Sequence, residues 1–508
     1  MIEAWNNLMY GFGVALTWEN LLYSWMGALL GTFVGVMPGI GVVTAIALLL
    51  PLTFKMSAIG AVIMLAGIYY GATHAESTSA IMLNMPAGHP AAIVICFDGY
   101  PMAKQGRAGP ALAAAALSSF FAGCVCILVI AFFASALGEA AIGFGAPEYT
   151  SVIILALTGI SVLGRKSMLT TMGMAVIGLL LGTVGMDINS GVTRFAMGDI
   201  RLNEGIHFVP VALALFALVD ITFTLGSPEN KMPAKAKFKD LMPTWTDIKT
   251  CFMPVVRGTA LGGALGVMPG TGPLMASFAS YAMEKKLAKD PSRFGNGAIE
   301  GVAAPEASAN AAAFTHFIPM LSLGIPAGTA MALMLGALLI HGVAPGPQLI
   351  TQHPDIFWGL IASMWIGNLM LLVLNLPLVG VWIKMLETPY RIIYPAIVVF
   401  CMIGIYSERL EPFGILICGA FVVIGWVLES LDCSPAPLVL AMILGPMLEE
   451  NFRRSLLLSR GDPLIFFERP VSLGFLMLTL ALIILFTLPA MRRKEQPILE
   501  VNVAEGAD

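Results

Sequence analysis

Residues Gly27 to Gly41 read GALLGTFVGVMPGIG, and residues Gly258 to Gly272 read GTALGGALGVMPGTG; nine of fifteen positions are identical at an offset of 231 residues. Each copy is a ladder of glycines four residues apart, Gly27, Gly31, Gly35, Gly39 and Gly258, Gly262, Gly266, Gly270, that runs into a Met-Pro-Gly-x-Gly break. On a helix this spacing keeps the glycines near one face, where a second backbone can approach closely. Pro38 and Pro269 then end the ladder, because proline removes a donor and disfavours helical geometry in the residue before it. A break inside an apolar segment leaves main-chain groups uncovered, which is tolerated only where protein or a water-lined cavity satisfies them. Broken helices at matching positions of two halves point to the central binding site of a secondary transporter.

The surrounding composition fits that reading. The chain has 508 residues, 58% hydrophobic and 11% charged, against roughly 25% charged in soluble proteins. Apolar runs at Ala111–Leu137, Val152–Leu163, Met168–Val184, Val209–Leu225, Phe357–Leu376, Ile392–Ile405, Phe413–Val427 and Leu473–Leu488 supply membrane spans. With the broken segments they make roughly ten to twelve crossings. The expected fold is therefore an all-α polytopic membrane protein whose two inverted repeats contain broken, re-entrant helix hairpins. A net charge of -4 offers no basic footprint for nucleic acid. The seven cysteines include no C-x-x-C pair and sit mostly in apolar runs, as small core residues do. The first twenty residues hold no Lys or Arg, so the positive region of a cleavable signal peptide is missing and the N-terminus is expected to be retained.

Basic residues orient the halves. None precedes Lys55, whereas Lys231, Lys235, Lys237, Lys239, Lys249 and Arg257 crowd the approach to the second ladder, and Arg492, Arg493 and Lys494 follow the last apolar run. The positive-inside rule makes the middle loop and the C-terminus cytoplasmic, so the first ladder enters from the opposite side to the second. The chain divides into a first half, 1–226, with a hairpin core at 20–95; a cytoplasmic linker, 227–250; a second core, 251–350; scaffold spans, 351–490; and a cytoplasmic tail, 491–508.

A second landmark recurs in each half, Met85-Pro86-Ala87-Gly88 and Ile325-Pro326-Ala327-Gly328, at an offset of 240 residues. Upstream of it lie GATHAESTSAIMLN (Gly71–Asn84) and APEASANAAA (Ala304–Ala313), too rich in small and polar side chains to face lipid. Polar groups at membrane depth are functional candidates, since burying them is costly without partners.

The breaks, Pro38, Gly39, Ile40, Gly41 and Pro269, Gly270, Thr271, Gly272, are expected to hold an anion through free amides and helix N-termini. Close helix packing is the competing explanation, and the better one for Gly27, Gly31, Gly258 and Gly262. Ser79, Asn84 and Asn310 are candidate hydrogen-bond partners for a substrate. Ser77, Thr78, Asn84, Ser308 and Asn310 are candidate oxygen ligands for a sodium ion, since hard cations need several oxygens at close range. Bonding between helices accounts for them equally well. Glu76 and Glu306 suit a cation or a proton, or else structural pairing. Among the remaining ionisable groups, His74 and His316 lie nearest the polar stretches. Lys104 and Arg107 read as a solvated basic loop, with steering of an anion or docking of a partner subunit as the alternative, and Asp220 as either a proton-path residue or a helix end.

Taken together, GVMPGIG, HAESTSAIMLNMPAG, FDGYPMAKQGRAGPAL, GVMPGTG and IPAG closely resemble the large membrane subunit of tripartite tricarboxylate transporters, the TctA family, over about Leu21 to Leu448. The resemblance implies a permease of the bacterial inner membrane. It also implies a small four-helix membrane subunit (TctB-like) and a periplasmic solute-binding protein (TctC-like) as partners, carboxylates such as citrate as substrates, and uptake coupled to a gradient of Na+ or H+, with no cofactor. Residues alone leave other functions open. A passive anion channel could also line a pore with the two breaks. An intramembrane enzyme finds no support in a G-x-S-x-G or H-E-x-x-H motif, neither of which is present.

Overall fold

The computed structural model describes residues 2–37, 41–84, 91–140, 145–159, 168–187, 191–224, 243–267, 272–346, 348–385, 395, 397–399, 401–403, 405–406 and 411–487. These are almost entirely helical. The first half comprises α1 (Ile2–Ala15), α2 (Trp18–Val36), α3 (Val42–Leu49), α4 (Ala58–Leu83), α5 (Ala92–Lys104), α6 (Ala108–Ala140), α7 (Ala146–Gly159) and α8 (Met168–Gly182). A small antiparallel ribbon, Gly185–Met186 paired with Thr193–Arg194, follows, and then α9 (Phe208–Ala212) passes through a π turn into α10 (Val219–Thr224). The second half comprises α11 (Trp245–Gly266), α12 (Gly272–Leu287), α13 (Glu300–Thr315), α14 (Phe317–Leu323), α15 (Thr329–Ile340), α16 (Leu349–Gln352) and α17 (Pro354–Asn375). Beyond it lie helices at Val379–Met385, Phe413–Ser430, Ala436–Leu458, Ile465–Glu468 and Pro470–Thr487.

Four described helices are long and apolar enough to cross a membrane, Ala58–Leu83, Ala108–Phe133, Pro354–Asn375 and Phe413–Ser430, with six shorter apolar helices beside them. Most of the apolar runs of the sequence fall on these helices; Ile392–Ile405 lies partly outside the described residues. Large apolar side chains point outward, among them Phe132, Val176, Leu180, Leu416 and Val423. That inverted surface is the one a bilayer requires.

The glycine ladders act as close-packing faces. Any side chain at Gly27, Gly31 or Gly35 of α2 would overlap the backbone of Met64, Ile68 or Ala72 of α4. Gly258, Gly262 and Gly266 of α11 meet Ala304, Ser308 and Ala312 of α13 in the same way. Met64 and Ala304 stand 240 residues apart, as the two Pro-Ala-Gly landmarks do. The two docked pairs thus share one register.

Both docked helices are interior. Every residue of α4 from Gly60 to Leu83 and every residue of α13 is buried. The polar stretches are therefore helical, Gly71 to Leu83 included, yet lipid never reaches them. The helices around them are exchanged between halves. From the first half, α5 and α6 pack against α13; from the second, α15 and α17 pack against α4, and α6 meets α17.

Candidate substrate and ion site

Pro38, Gly39, Ile40, Pro269, Gly270 and Thr271 lie outside the described residues, as do Met85, Pro86, Ala87 and Gly88. Their frames are described. On the first side, α2 ends with Met37 extended, and Gly41, extended at φ -79° and ψ 166°, opens α3. On the second, Gly272 at φ +50° opens α12, a conformation glycine adopts without penalty. In the second landmark, Gly324 closes α14 in the left-handed region and Gly328 opens α15.

Between these frames α4 and α13 cross antiparallel. At one end, the Tyr69 hydroxyl lies 3.1 Å from Nδ1 of His316. The Tyr70 ring stacks on Phe314 at 5.6 Å between centroids, and Tyr69 meets Phe317 edge-on. At the other end, Oε1 of Glu306 accepts from the Ser119 hydroxyl at 2.8 Å and from the Asn310 amide at 3.1 Å. The same amide reaches Ser119 Oγ at 2.9 Å. Ser77 faces the Glu306 carboxylate, and Glu76 lies within electrostatic reach of both Glu306 and Tyr69. Tyr69, Glu76, Ser77, Ser119, Glu306, Asn310 and His316 are each no more than 5% exposed. Carboxyl groups held at that depth by neutral donors are costly, and such groups mark ion or substrate paths.

The other sequence candidates divide. Ser79 donates to the Glu76 carbonyl at 3.0 Å, Ser77 to the His74 carbonyl at 3.1 Å, and Ser308 to the Ala276 carbonyl at 2.9 Å. Ser79 and Ser308 use their protons on backbone, which leaves oxygen lone pairs for a ligand, while the Ser77 hydroxyl also faces the Glu306 carboxylate. Thr78 is buried beside them. Asn84 stands apart, exposed, closing α4 in the left-handed conformation at φ 55°. His74 is buried, and its Nε2 has no hydrogen-bond partner among the described residues.

Ser119 was not among the sequence candidates. It sits with Ser118 in an alanine-rich run, where two adjacent hydroxyls are the available signal. Asp98 is the larger omission. Its Oδ1 accepts from the backbone N–H of Gly295, Gly297 and Ala298 at 2.8 to 2.9 Å, and its Oδ2 from the Tyr281 hydroxyl at 2.9 Å. A carboxylate of the first half thus caps the approach to α13 in the second. The loop expected to be solvated also braces the halves, since Arg107 pairs with Asp247 at 2.8 Å while Lys104 lies over the Tyr100 ring. The side chain of Asp220 lies outside those described.

Comparison with known proteins agrees with the sequence motifs. A family description, "Tripartite tricarboxylate transporter TctA family", matches residues 21–440. The chain is similar to an Agrobacterium vitis protein described as "Uncharacterized 52.8 kDa protein in TAR-I ttuC' 3'region", 48% identical over 498 residues, covering 98% of this chain and 99% of the relative. A second Agrobacterium vitis protein, "Uncharacterized protein in TAR-II ttuC' 3'region", is 52% identical over 237 residues, 47% of this chain and 98% of its own length. No solved structure matches. The docked glycine ladders, the buried polar crossing and the family match over most of the chain converge: this multi-pass membrane protein belongs to the tripartite tricarboxylate transporter TctA family.

Proposed function

We propose that the chain is the large permease subunit of a secondary transporter that takes up organic carboxylates across the bacterial inner membrane, driven by a cation gradient. The observation that carries this reading is the shared register of two glycine ladders on two buried polar helices that cross antiparallel. In such a fold each Met-Pro-Gly-x-Gly break is the tip of a re-entrant hairpin. The two units, in opposite orientations, bring both tips to the bilayer centre. Pro38 to Gly41 and Pro269 to Gly272 bind substrate oxygens through free amides. Ser79 and Asn310 contact substrate from the buried crossing, and Asn84 does so from the end of α4. The oxygens of Ser77, Thr78, Asn84, Ser308 and Asn310 serve the coupling ion, Na+ or H+.

The exchanged packing of α5, α6, α15 and α17 supports a two-fold relation between 20–95 and 251–350. The helices after 351 then form a scaffold against which this core moves, in an elevator-like alternation of access. Arg107, Lys249, Arg257, Lys285, Lys286 and Arg293 gather on the α5–α6 turn and the loop ends of α11 and α12, which supports a cytoplasmic location for that end and for the C-terminal tail. A small four-helix membrane subunit and a periplasmic solute-binding protein complete the assembly.

Reconstitution of the chain with both partners in vesicles tests the reading. Labelled di- and tricarboxylates, citrate among them, are expected to accumulate above equilibrium only with binding protein and with an imposed Na+ or H+ gradient. Downhill flux that needs neither is the behaviour of a channel and overturns the proposal.

A further inference from the structure

Helices α6 and α11 run side by side and are held together at two levels. At the first, Nη2 of Arg107, the residue before α6, donates to Oδ1 of Asp247 in the first turn of α11 at 2.8 Å. At the second, about four turns deeper, a carbon added at Gly263 would stand 3.6 Å from Sγ of Cys126. Between these levels the helices part around a cavity of about 140 Å³. One stripe of α6, Ala114, Ser118 and Phe121, faces one stripe of α11, Cys251, Phe252 and Val255. Leu117, Ile248 and Phe252 are exposed at its lip, so the cavity is a groove that opens on the outward, apolar surface of the protein.

An apolar cavity of this size stays dry and accepts hydrocarbon. On a membrane protein the hydrocarbon at hand is a lipid tail. A tail that enters the groove leaves one apolar medium for another, so the groove alone discriminates little between lipids. Choice falls to the charges at its mouth. There the Asp247 carboxylate is spent within the protein: Oδ2 accepts from the N–H and the hydroxyl of Thr244 in the capping box, and Oδ1 from Arg107. Arg107 is not spent. It uses one N–H on Asp247, and its side chain, 42% exposed, keeps further donors for an outside ligand. Lys249 is exposed on the same end of α11, its ammonium 5.8 Å from the centre of the exposed Trp245 ring, and Lys104 lies over Tyr100 on the neighbouring turn. An exposed indole at the end of a membrane helix suits the headgroup layer. Basic residues between helices at that level suit a phosphate.

We propose that this groove holds one acyl chain of an anionic glycerophospholipid whose phosphate is met by Arg107 and Lys249. The site lies on a seam. Arg107 belongs to the first half and Asp247 to the second, and Ile299, in the wall of the groove, leads into α13. A bound lipid therefore bridges the halves and stabilises their junction. The proposal is independent of which solute the protein carries.

Native mass spectrometry and thermal melts of the purified chain in detergent, titrated with phosphatidylglycerol or with phosphatidylcholine of identical acyl chains, test it. Wild type is expected to bind one phosphatidylglycerol at roughly tenfold lower concentration than phosphatidylcholine, and to melt higher when it is bound. Lys249→Gln should reduce that preference by about threefold and leave phosphatidylcholine binding unchanged, since it alters the rim and not the groove. Ser118→Phe fills the groove and should remove both the bound lipid and the melting shift. Ala114→Leu, a smaller change on the same stripe, should act in the same direction where the phenylalanine variant folds poorly. Equal binding of the two headgroups by wild type overturns the proposal, as does undiminished phosphatidylglycerol binding by both groove variants. Groove variants that keep the lipid but no longer copurify with a coexpressed small membrane subunit overturn it too, and make the groove a docking surface for a partner's helix.

Discussion

The pair α2 on α4 and the pair α11 on α13 are packed by one code and secured at their outer ends by two. The first pair is fastened with few charges: Thr17 makes no side-chain cap, Tyr23 bonds Glu19 at 2.9 Å, and Trp5, Trp18 and Trp25 stand exposed around it. The second is tied by ions. Thr244 and Asp247 form a capping box, Arg257 grips Glu284 with two bonds of 2.7 and 2.6 Å, Arg293 reaches Glu300, and Asp98 caps the entry to α13. Glycine packing depends only on the approach of two backbones, so both pairs keep it. End chemistry is free to differ, because aromatic side chains and ion pairs at the helix ends leave that backbone approach unchanged. A repeated unit can therefore keep its interior while each copy acquires its own ends.

The largest effect should come from the shared code. Gly31→Leu and Gly262→Leu each drive a side chain into the backbone of the facing helix, a clash worth at least about 3 kcal/mol since rotamer changes cannot relieve it. Both should abolish recovery of monodisperse protein from detergent. Gly173→Leu, at a position with open space around it, should change the melting temperature little, within about 0.5 kcal/mol. If one ladder tolerates leucine and the other does not, the equivalence of the two pairs is lost.

Asp98→Ala probes what the second pair has alone. It strips a hydrogen-bond acceptor from three backbone amides, that of buried Ala298 among them, and from a tyrosine hydroxyl, and should lower stability on the order of 3 kcal/mol. Asp98→Asn retains one acceptor oxygen and should cost less than half as much. Thermal melts of the purified protein measure both, and a neutral Asp98→Ala variant would remove the asymmetry argued above.

Asp98 also marks where sequence reading stops. The ladders are legible because their signal is local: a four-residue period of glycines gives the packing face, and the 240-residue offset of the Pro-Ala-Gly landmarks gives the register that Met64 and Ala304 display. Burial of Gly71 to Leu83 is legible too, from small and polar residues that lipid would reject. Its continuity as one helix with Ala58 is not, because serine and threonine propensity is overridden by packing on both sides. The partners of Asp98 lie some 180 to 200 residues away, and three of the four are backbone amides, which leave no side-chain pattern to find. The Ser119 contact to Glu306 is hidden for the same reason, being fixed by the exchange of α6 into the other half.

Arg257→Ala tests the ion ties at lower amplitude. Glu284 is 3% exposed while Arg257 is 38% exposed, so solvent already screens half of the pair. Its loss should cost about 1 to 2 kcal/mol, less than a fully interior pair, by leaving a buried carboxylate without its partner. Glu284→Gln in the same background should recover most of that loss in the melting temperature. Failure to recover would mean that Arg257 contributes through packing against α12 instead.

The smallest effect belongs to the loop between the antiparallel ribbon and α9, where charge braces a connection and no ladder. Arg201 donates to both oxygens of Asp199, the closest bond being 2.6 Å, and lies over the Phe413 ring. The Arg201 side chain, joined by its backbone N–H, holds the Asp199 carboxyl down at about 2 from an ordinary 3.8. A lowered pKa means the contact is in place above the ordinary carboxylate range and is lost only as pH falls through about 2. Acidification from pH 7 to pH 5 should leave it untouched, and Arg201→Ala should return the titration toward the ordinary range. Carboxyl NMR of 13C-labelled aspartate reads this directly: at about pH 3 the wild-type group should be ionised and the variant's largely protonated. The two proteins should melt within about 1 °C of each other at neutral pH, because an exposed pair contributes little to the fold. A larger loss would mean that this loop, like Asp98, carries part of the packing between halves, and the contrast between a shared interior and local charge braces would have to be redrawn.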